Sequence, residues 1–250
     1  RSTLFPYTTL FRSVKLITGG PGTGKTTIIN AIINVFKEND FDVAIAAPTG
    51  RAAKRITETS GHPASTIHRL LEYYYSEETE DMKFGKTQED PLKHDVVVID
   101  EASMIDLMLM KGLTDAIKPG TRLILVGDSD QLPSVGAGNV LKDMIDSGFI
   151  AVSKLNEIYR QAQESMIVVN AHRINHGEYP SLNGADGDFF HMERSNEMQM
   201  QSLIVELVTS RLPVYYKGID AVKDIQVLSP IKKGNVGTLR LNSKIGRAHV

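Results

Sequence analysis

The feature that most constrains this chain is a glycine-rich turn between a predicted strand and a predicted helix. Residues 14–18 read as a short strand, and residues 28–36 carry apolar side chains at helical spacing. The turn fits the pattern G-x-x-x-x-G-K-[ST], which marks a phosphate-binding loop when a strand precedes it and a helix follows. We call it the phosphate loop, and it consists of Gly19, Gly20, Pro21, Gly22, Thr23, Gly24, Lys25, Thr26 and Thr27.

The residue types in the phosphate loop fit the chemistry of a nucleoside triphosphate. Glycines let the backbone curve around an anion, so that N–H groups and the positive end of the helix dipole face a phosphate. Lys25 can then reach the β- and γ-phosphates, and the Thr26 hydroxyl can ligate Mg²⁺. A turn that only joined a strand to a helix would need the glycines but not this lysine and threonine. We therefore expect residues 20–27 to bind a nucleoside triphosphate with Mg²⁺.

Further apolar runs predict an α/β fold with a parallel sheet. Residues 42–47, 95–100 and 121–126 read as strands that are buried on both faces, and an amphipathic helix is predicted over 104–117. Alternating strands and helices give right-handed crossovers, with ligands at the carboxyl ends of the strands. The fold class that follows is a P-loop nucleoside triphosphatase with helices flanking a parallel sheet.

The second half of the chain shows a weaker alternation. A long helix is predicted over 157–176, a strand over 188–192, a helix over 196–212 and a strand over 224–228. These elements predict the start of a second α/β unit after the first.

The two ends of the chain resemble translated sequencing-adapter sequence. We therefore expect residues 1–13 and 245–250 to be non-native. The remainder is expected to hold a first domain over 14–152 and a partial second domain over 153–244, as a fragment of a longer protein.

Composition limits the classes of function. The two ends carry three arginines and no acidic residue, which leaves 25 basic and 30 acidic residues between them. A generally basic surface is therefore excluded, and a polyanion would have to bind at a local groove. The chain has no cysteine, which excludes disulfides, cysteine zinc sites and thiol nucleophiles and is consistent with a reducing cytosol. No apolar run approaches a membrane span, so we expect a cytoplasmic protein with no membrane partner.

Two acidic residues follow the strand predicted over 95–100. Asp100 at the strand tip can hold Mg²⁺ through water, and Glu101 can polarise a water for in-line attack on the γ-phosphate. On its own such a pair can simply solvate a strand end. The phosphate loop earlier in the chain makes the catalytic interpretation the better one.

Two more segments are candidates for reading the γ-phosphate. Asp128 and Gln131 lie in a Gly-Asp-Ser-Asp-Gln sequence after the strand at 121–126, and this sequence is also a good turn. Gln131 is a candidate γ-phosphate sensor. Asp128 is a candidate acid that supports the site without contacting the phosphate itself. Arg160 opens the second predicted unit and is a candidate arginine finger, although a single arginine is usually only a surface charge.

Basic and aromatic residues supply candidates for binding nucleic acid. Arg51, Lys54 and Arg55 share one face of a helix that follows a Thr-Gly turn, which suits contacts to a phosphate backbone, although such a trio can also be a solvated face. Three tyrosines at 73–75 are either base-stacking platforms or part of the core. Residues 76–93 are acidic and polar, and are either a solvated loop or a small hairpin insert. His172 and His176 lie one helical turn apart but have no third residue that would complete a zinc site.

Together these segments resemble the motif series of superfamily 1 DNA helicases, in the RecD-like branch. The resemblance covers nearly all of residues 14–244, and the segments follow one another in the order of the family. The matching segments are Thr18 to Thr27, Ala47 to Arg55, Thr66 to Leu71, Val98 to Met104, Val126 to Pro133 and Ile158 to Gln161.

The resemblance implies two RecA-like domains and an ATP-driven motor that moves along single-stranded DNA from five-prime to three-prime and unwinds duplex. Lys25, Asp100, Glu101, Gln131 and Arg160 would act on ATP·Mg²⁺, and residues 76–91 would form a strand-separating pin. Single-stranded DNA and duplex junctions would be the partners of a monomer in DNA repair or recombination. The implied DNA contacts are Pro48, Thr49, Gly50, Arg51 and His68.

Some motifs of the family have no counterpart here. An adenine-contacting segment before the phosphate loop and the later motifs of the second domain are missing, so we expect this chain to bind ATP·Mg²⁺ weakly and to unwind nothing. A rival hypothesis is a nucleotide-switched ATPase that remodels a protein partner without translocating. Stimulation of ATP turnover by DNA would favour the motor.

Overall fold

The computed structural model describes residues 14–77, 79–157, 164–182 and 187–248. The chain divides into two compact units, Arg1–Phe189 and Phe190–Val250. This division lies later than the boundary predicted between residues 152 and 153: the strand at Ala151–Leu155 joins the first sheet, and the helix at Met166–Asn175 contacts Pro21 and Asp130 of the same unit. The assignment of the second unit as a RecA-like domain stays a prediction.

The first unit alternates strands with helices, as the sequence predicts. Its strands are β1 Val14–Gly19, β2 Val43–Ala47, β3 Ser65–Thr66, β4 Tyr73–Ser76, β5 Asp81–Phe84, β6 Val96–Ile99, β7 Arg122–Gly127 and β8 Ala151–Leu155. Its helices are α1 Lys25–Glu38, α2 Gly50–Ser60, α3 Ile67–Leu70, α4 Leu107–Ala116, α5 Val140–Asp146 and α6 Met166–Asn175, with a 3₁₀ turn at Ala102–Met104.

Six of the described strands form one sheet in the order β3-β2-β6-β7-β1-β8, and each neighbouring pair is parallel. Consecutive side chains point to opposite faces, so Leu16 packs in one apolar cluster and Ile17 in the other. Both faces are covered, which explains why β6 is a continuous run of buried Val and Ile residues. The carboxyl ends of β1, β2, β6 and β7 therefore meet at one edge of the sheet, which we call the carboxyl edge.

A separate antiparallel hairpin, β4–β5, projects from the first unit. The sequence left residues 76–93 open between a loop and a hairpin insert, and the structure has the hairpin over residues 73–84. Its base is attached to the core, because the Phe84 ring packs against Gly112 of α4 with no room for a side chain at that glycine. The three tyrosines of β4 are all exposed.

The second unit contains helices but no strand among its described residues. They are α7 Glu197–Glu206, a π-helical segment Leu207–Arg211, α8 Leu212–Tyr215 and α9 Thr238–Ala248. The strand prediction over 224–228 is wrong: the side chains alternate in exposure, but no partner strand is present in the described part of this unit. The strand prediction over 188–192 is also wrong, because the Asp188 carboxylate instead accepts hydrogen bonds at the start of α6. No described helix is both long enough and apolar enough to cross a membrane.

Candidate nucleotide-binding site and nucleic-acid interface

The phosphate loop connects β1 to α1 through backbone conformations that favour glycine. Gly22 and Gly24 have φ angles of 75° and 82°, in the left-handed region that a side chain would strain. The hydrogen bond from the Ile28 N–H to the Gly24 carbonyl, at 3.1 Å, closes the first turn of α1. The N–H groups of Lys25, Thr26 and Thr27 precede that bond, so they lie at the open end of the helix, where an anion binds.

Lys25 spans the mouth of the phosphate loop. Its Nζ donates to the carbonyl oxygens of Gly19 and Gly20 at 2.6 and 2.9 Å, and it lies 4.0 Å from the Asp128 carboxylate. The buried Thr23 hydroxyl also donates to the Gly20 carbonyl, at 2.8 Å. The loop is thus held in shape by its own side chains, with a cation at its opening.

Asp100 and Glu101 follow β6 at the carboxyl edge. The Asp100 carboxylate accepts a hydrogen bond from the Glu101 N–H at 2.8 Å. Burial raises the pKa of the Asp100 carboxyl above its usual value, and the Glu101 charge adds to that rise. The charges of Lys25 and Arg55 act in the opposite direction and lower this pKa.

Glu101 itself has a left-handed backbone, with φ 53° and ψ 39°. For a residue other than glycine this conformation costs about 1–3 kcal/mol, and such strain concentrates at functional sites. Here it turns the chain sharply from β6 into the 3₁₀ turn Ala102–Met104. Asp40, Glu72 and Glu80 also have positive φ angles, so the conformation identifies Glu101 as the point where the chain turns and not by itself as a catalytic residue.

The donor set of the proposed metal site fits Mg²⁺. Thr26 lies half-buried in the first turn of α1, and Asp100 is a partly desolvated carboxylate whose charge a cation would compensate. Hydroxyl and carboxylate oxygens are the ligands that Mg²⁺ takes, usually alongside phosphate oxygens and water.

Residues 128–131, which we call the sensor loop, follow β7 beside the phosphate loop. Asp128 is 2% exposed and organises this loop: one of its carboxylate oxygens accepts the Asp130 N–H at 3.1 Å, and the other accepts the Gln131 side-chain amide at 3.3 Å. Thr18 joins this loop to β1, because its hydroxyl accepts the Ser129 N–H at 3.2 Å. The structure thus places Gln131 next to the carboxylate that faces Lys25.

Helix α6 brings two residues to this site that the sequence did not suggest for it. His172 Nε2 lies 3.2 Å from the Pro21 carbonyl oxygen, and Asn175 Nδ2 donates to the Asp130 carboxylate at 2.8 Å. The only signal in the sequence was their spacing of three residues, which puts both on one helix face. Arg160, the candidate arginine finger, lies outside the described residues.

The candidate nucleic-acid contacts begin at the carboxyl end of β2. Thr49 caps α2, and its hydroxyl accepts the Ala52 N–H at 3.3 Å. We call residues 49–55 the basic turn; Arg51, Lys54 and Arg55 are all exposed in it. Pro48 and Gly50 flank the cap. The Asp100 N–H donates to the Ala46 carbonyl of β2 at 3.0 Å, so the basic turn begins beside the strand end that carries Asp100.

His68 and the hairpin form an aromatic cluster. The His68 ring lies edge-on to Tyr73, with 5.0 Å between ring centroids, and Tyr73 lies 4.9 Å from Phe84. Tyr73 thus supports the base of the hairpin, whereas Tyr74 and Tyr75 are 48% and 57% exposed. None of the three tyrosines belongs to the core, and base stacking by Tyr74 and Tyr75 stays a prediction.

Comparison with known proteins identifies the family. The family model described as an AAA domain matches residues 7–192, more than half of the chain. The chain belongs to the AAA domain family. The chain is also similar to a RecD2 DNA helicase and to RecD subunits of the RecBCD enzyme, which confirms the predicted RecD-like resemblance.

Two relatives show how much of a longer protein this AAA domain chain represents. It is 35% identical over 227 residues to the ATP-dependent RecD2 DNA helicase of Deinococcus radiodurans, a match that covers 91% of the chain and 29% of that protein. It is 39% identical over 160 residues to the RecBCD enzyme subunit RecD of Mycobacterium tuberculosis, covering 55% and 27%. The chain spans less than a third of the length of either relative.

A solved structure with the same fold supports the architecture. The crystal structure of Pif1 helicase from Candida albicans matches with a TM-score of 0.52 at 20% identity, over 85% of the chain and 53% of that structure. At this identity the likeness concerns the fold alone. Together with the parallel sheet it confirms the predicted RecA-like α/β fold of the AAA domain.

Proposed function

We propose that this chain is the ATP-hydrolysing motor part of a DNA helicase that moves along single-stranded DNA from five-prime to three-prime and unwinds duplex. The observation that carries the proposal is the position of the basic turn on the carboxyl edge that holds the phosphate loop and Asp100. The Asp100 N–H donates to the Ala46 carbonyl of β2 at 3.0 Å, so a phosphate backbone bound at the basic turn, which follows β2, would lie close to the nucleotide. Because the two ligands would lie close together, ATP hydrolysis could directly change the affinity of the basic turn for DNA.

In this proposal the residues of the nucleotide site divide the work of hydrolysis. Lys25 leaves the carbonyls of its own loop and binds the β- and γ-phosphates, whose charge it neutralises. Thr26 and Asp100 would hold Mg²⁺, which supplies further charge neutralisation on the phosphates when bound. Glu101 orients and polarises the attacking water, and Gln131 contacts the γ-phosphate. Arg160 keeps its proposed role as a finger on the transition-state charge.

The DNA side uses exposed charges and rings. The N–H groups at the start of α2 and the Arg51 side chain would hold backbone phosphates, and His68 would contact the same strand. The exposed Tyr74 and Tyr75 of strand β4 would stack on bases at the duplex junction. Single-stranded DNA and duplex junctions are thus the proposed partners of a monomer in DNA repair or recombination.

The test is ATP turnover of the purified chain with and without oligo(dT). We expect DNA to stimulate turnover by about tenfold or more, and both Lys25→Ala and Glu101→Gln to abolish the stimulated turnover. Lys37→Ala, at the far end of the same helix, is the matched control for Lys25 and should leave turnover unchanged. Turnover that is indifferent to DNA would instead support the nucleotide-switched ATPase that remodels a protein partner.

A further inference from the structure

Helix α6 is seated directly on the phosphate loop. His172 Nε2 lies within hydrogen-bond distance of the Pro21 carbonyl oxygen. The imidazole also covers Gly20, since a Cβ atom at that position would lie 2.8 Å from the ring carbon Cε1. Gly20 does not have the positive φ angle that favours glycine. A glycine fits at this position because the His172 ring occupies the space that a side chain would need.

One turn further along, the same face of α6 holds the sensor loop. The Asn175 amide donates to the Asp130 carboxylate at 2.8 Å, and the Asp130 N–H donates to Asp128. Asp128 in turn accepts the Gln131 amide and faces Lys25. Through these contacts α6 bridges the two loops that would hold the phosphates.

The helix is fixed in place by contacts away from the nucleotide. Asn170 is 1% exposed, and its amide exchanges two hydrogen bonds with the backbone of Ser181, at 3.0 and 2.7 Å. At the start of the helix, the Asp188 carboxylate accepts the Ile167 N–H at 3.2 Å. A helix held in this way can set the positions of the loops that it touches.

A cavity of about 390 Å³ opens between α6 and the two loops. Its walls include Gly20 and Pro21 of the phosphate loop and Asp128 and Gln131 of the sensor loop. Such a volume is within the range of ligand pockets in proteins, and His172 lines it.

We propose that α6 positions ATP, with His172 holding the phosphate loop and Asn175 holding the sensor loop. This inference rests on the proposed function, because it assumes that the chain binds and hydrolyses ATP. The two residues have separable effects: His172 supports the loop that binds the nucleotide, and Asn175 supports the loop that carries Gln131. Loss of His172 therefore weakens binding, whereas loss of Asn175 slows hydrolysis of bound ATP.

The first test measures the affinity for a fluorescent ATP analogue. His172→Ala should weaken binding by about 5- to 10-fold, the effect of one lost hydrogen bond. His172→Gln places an amide donor at a similar reach and should stay within about twofold of the wild-type chain. His176→Ala, an exposed histidine just beyond the same helix, is the matched control. Equal affinities of the His172→Ala and His176→Ala variants would overturn the role of His172.

The second test measures single-turnover hydrolysis. Asn175→Asp sets two carboxylates against each other, and Asp130→Asn removes the acceptor charge, so each should slow hydrolysis by about tenfold with little change in affinity. The double variant Asp130→Asn/Asn175→Asp restores a donor and an acceptor with exchanged roles, and should recover most of the rate. A double variant no faster than either single one would overturn the role of Asn175.

A third readout does not depend on activity. Gly20→Ala should lower the Tm by about 2–4 °C through its clash with the imidazole, and His172→Ala should relieve part of that loss. Additive effects of the two changes on the Tm would contradict the contact. A wild-type chain that binds no nucleotide would instead overturn the proposed function, and this inference with it. Normal binding and hydrolysis by every α6 variant would overturn only the inference.

Discussion

The nucleotide side and the nucleic-acid side of the carboxyl edge are built differently. Around the phosphate loop, Thr23 and Asp128 are buried, and hydrogen bonds fix the loop before any ligand arrives. On the other side, Arg51, His68 and Tyr74 are exposed, and few contacts hold them. This difference fits our proposal, in which one side is preorganised for a single small ligand and the other offers charges and rings to a flexible polymer.

The largest effect that this comparison predicts is on the preorganised side. Lys25→Ala removes charge-assisted hydrogen bonds to two phosphates, so binding of ATP should weaken by about 100-fold or more. The Tm of the unliganded chain should fall only slightly: the lysine contacts carbonyls of its own loop and lies 4.0 Å from the Asp128 carboxylate, which keeps its hydrogen bonds from the Asp130 N–H and the Gln131 amide. Calorimetric titration with ATP·Mg²⁺ and a melting curve measure the two quantities. A large drop in Tm would show that the lysine is part of the scaffold instead.

The next largest effect is on stacking at the hairpin. Tyr74→Ala should weaken binding of oligo(dT) by about tenfold, at the lower end of the 1–3 kcal/mol that stacking of one base contributes. Tyr74→Phe keeps the ring and should bind like the wild-type chain. Fluorescence anisotropy with labelled DNA measures both. If Tyr74→Ala binds DNA normally, the exposed tyrosines are not a stacking surface.

A smaller effect is expected at the basic turn. Arg51→Ala should weaken binding of oligo(dT) by a few-fold and reduce the slope of log K against log salt by about 0.7, the contribution of one phosphate contact on a single strand. Arg51→Lys keeps the charge and should keep the slope. Anisotropy titrations over a series of salt concentrations give the slope. An unchanged slope for Arg51→Ala would make this arginine a solvated surface charge.

The smallest effect concerns stability and pH. Burial raises the pKa of Asp100, so the native state binds this proton more tightly than the unfolded chain does. The stability that results is present below pH 3.8, the ordinary pKa of the carboxyl in the unfolded chain, and is lost as the pH rises through the raised pKa of the native state. Asp100→Asn should therefore raise the Tm at neutral pH by about 1–3 °C, and the gain should vanish in acid. Asp146→Asn, at an exposed position, controls for the loss of one negative charge. Melting curves from acid to neutral pH give the comparison, and a gain independent of pH would contradict it.

The same contrast explains how much of the molecule the sequence could predict. The phosphate loop is local in sequence, since the residues that bind and the residues that shape the turn are neighbours. The buried strand β6 is legible because a parallel strand covered on both faces must be apolar throughout. Asp100 and Glu101 could be placed as soon as that strand was recognised.

Features that depend on distant contacts could not be predicted. His172 and Asn175 reach the nucleotide site through contacts of α6 with Pro21 and Asp130, which are distant in sequence and which no local pattern encodes. The strand predicted over 224–228 has suitable alternation, but a strand also needs a partner, and the sequence does not say which segment provides one. The hairpin was left open for the same reason, and the role of Arg160 stays a prediction.

The central claim is that the nucleotide site and the DNA surface act on each other. The most direct measurement is the affinity of the chain for labelled oligo(dT) without nucleotide and with a saturating non-hydrolysable ATP analogue and Mg²⁺. Coupling in a motor predicts a change of at least about fivefold, with the same factor in the affinity for the analogue when oligo(dT) is present. Equal DNA affinities in the two states would contradict the account.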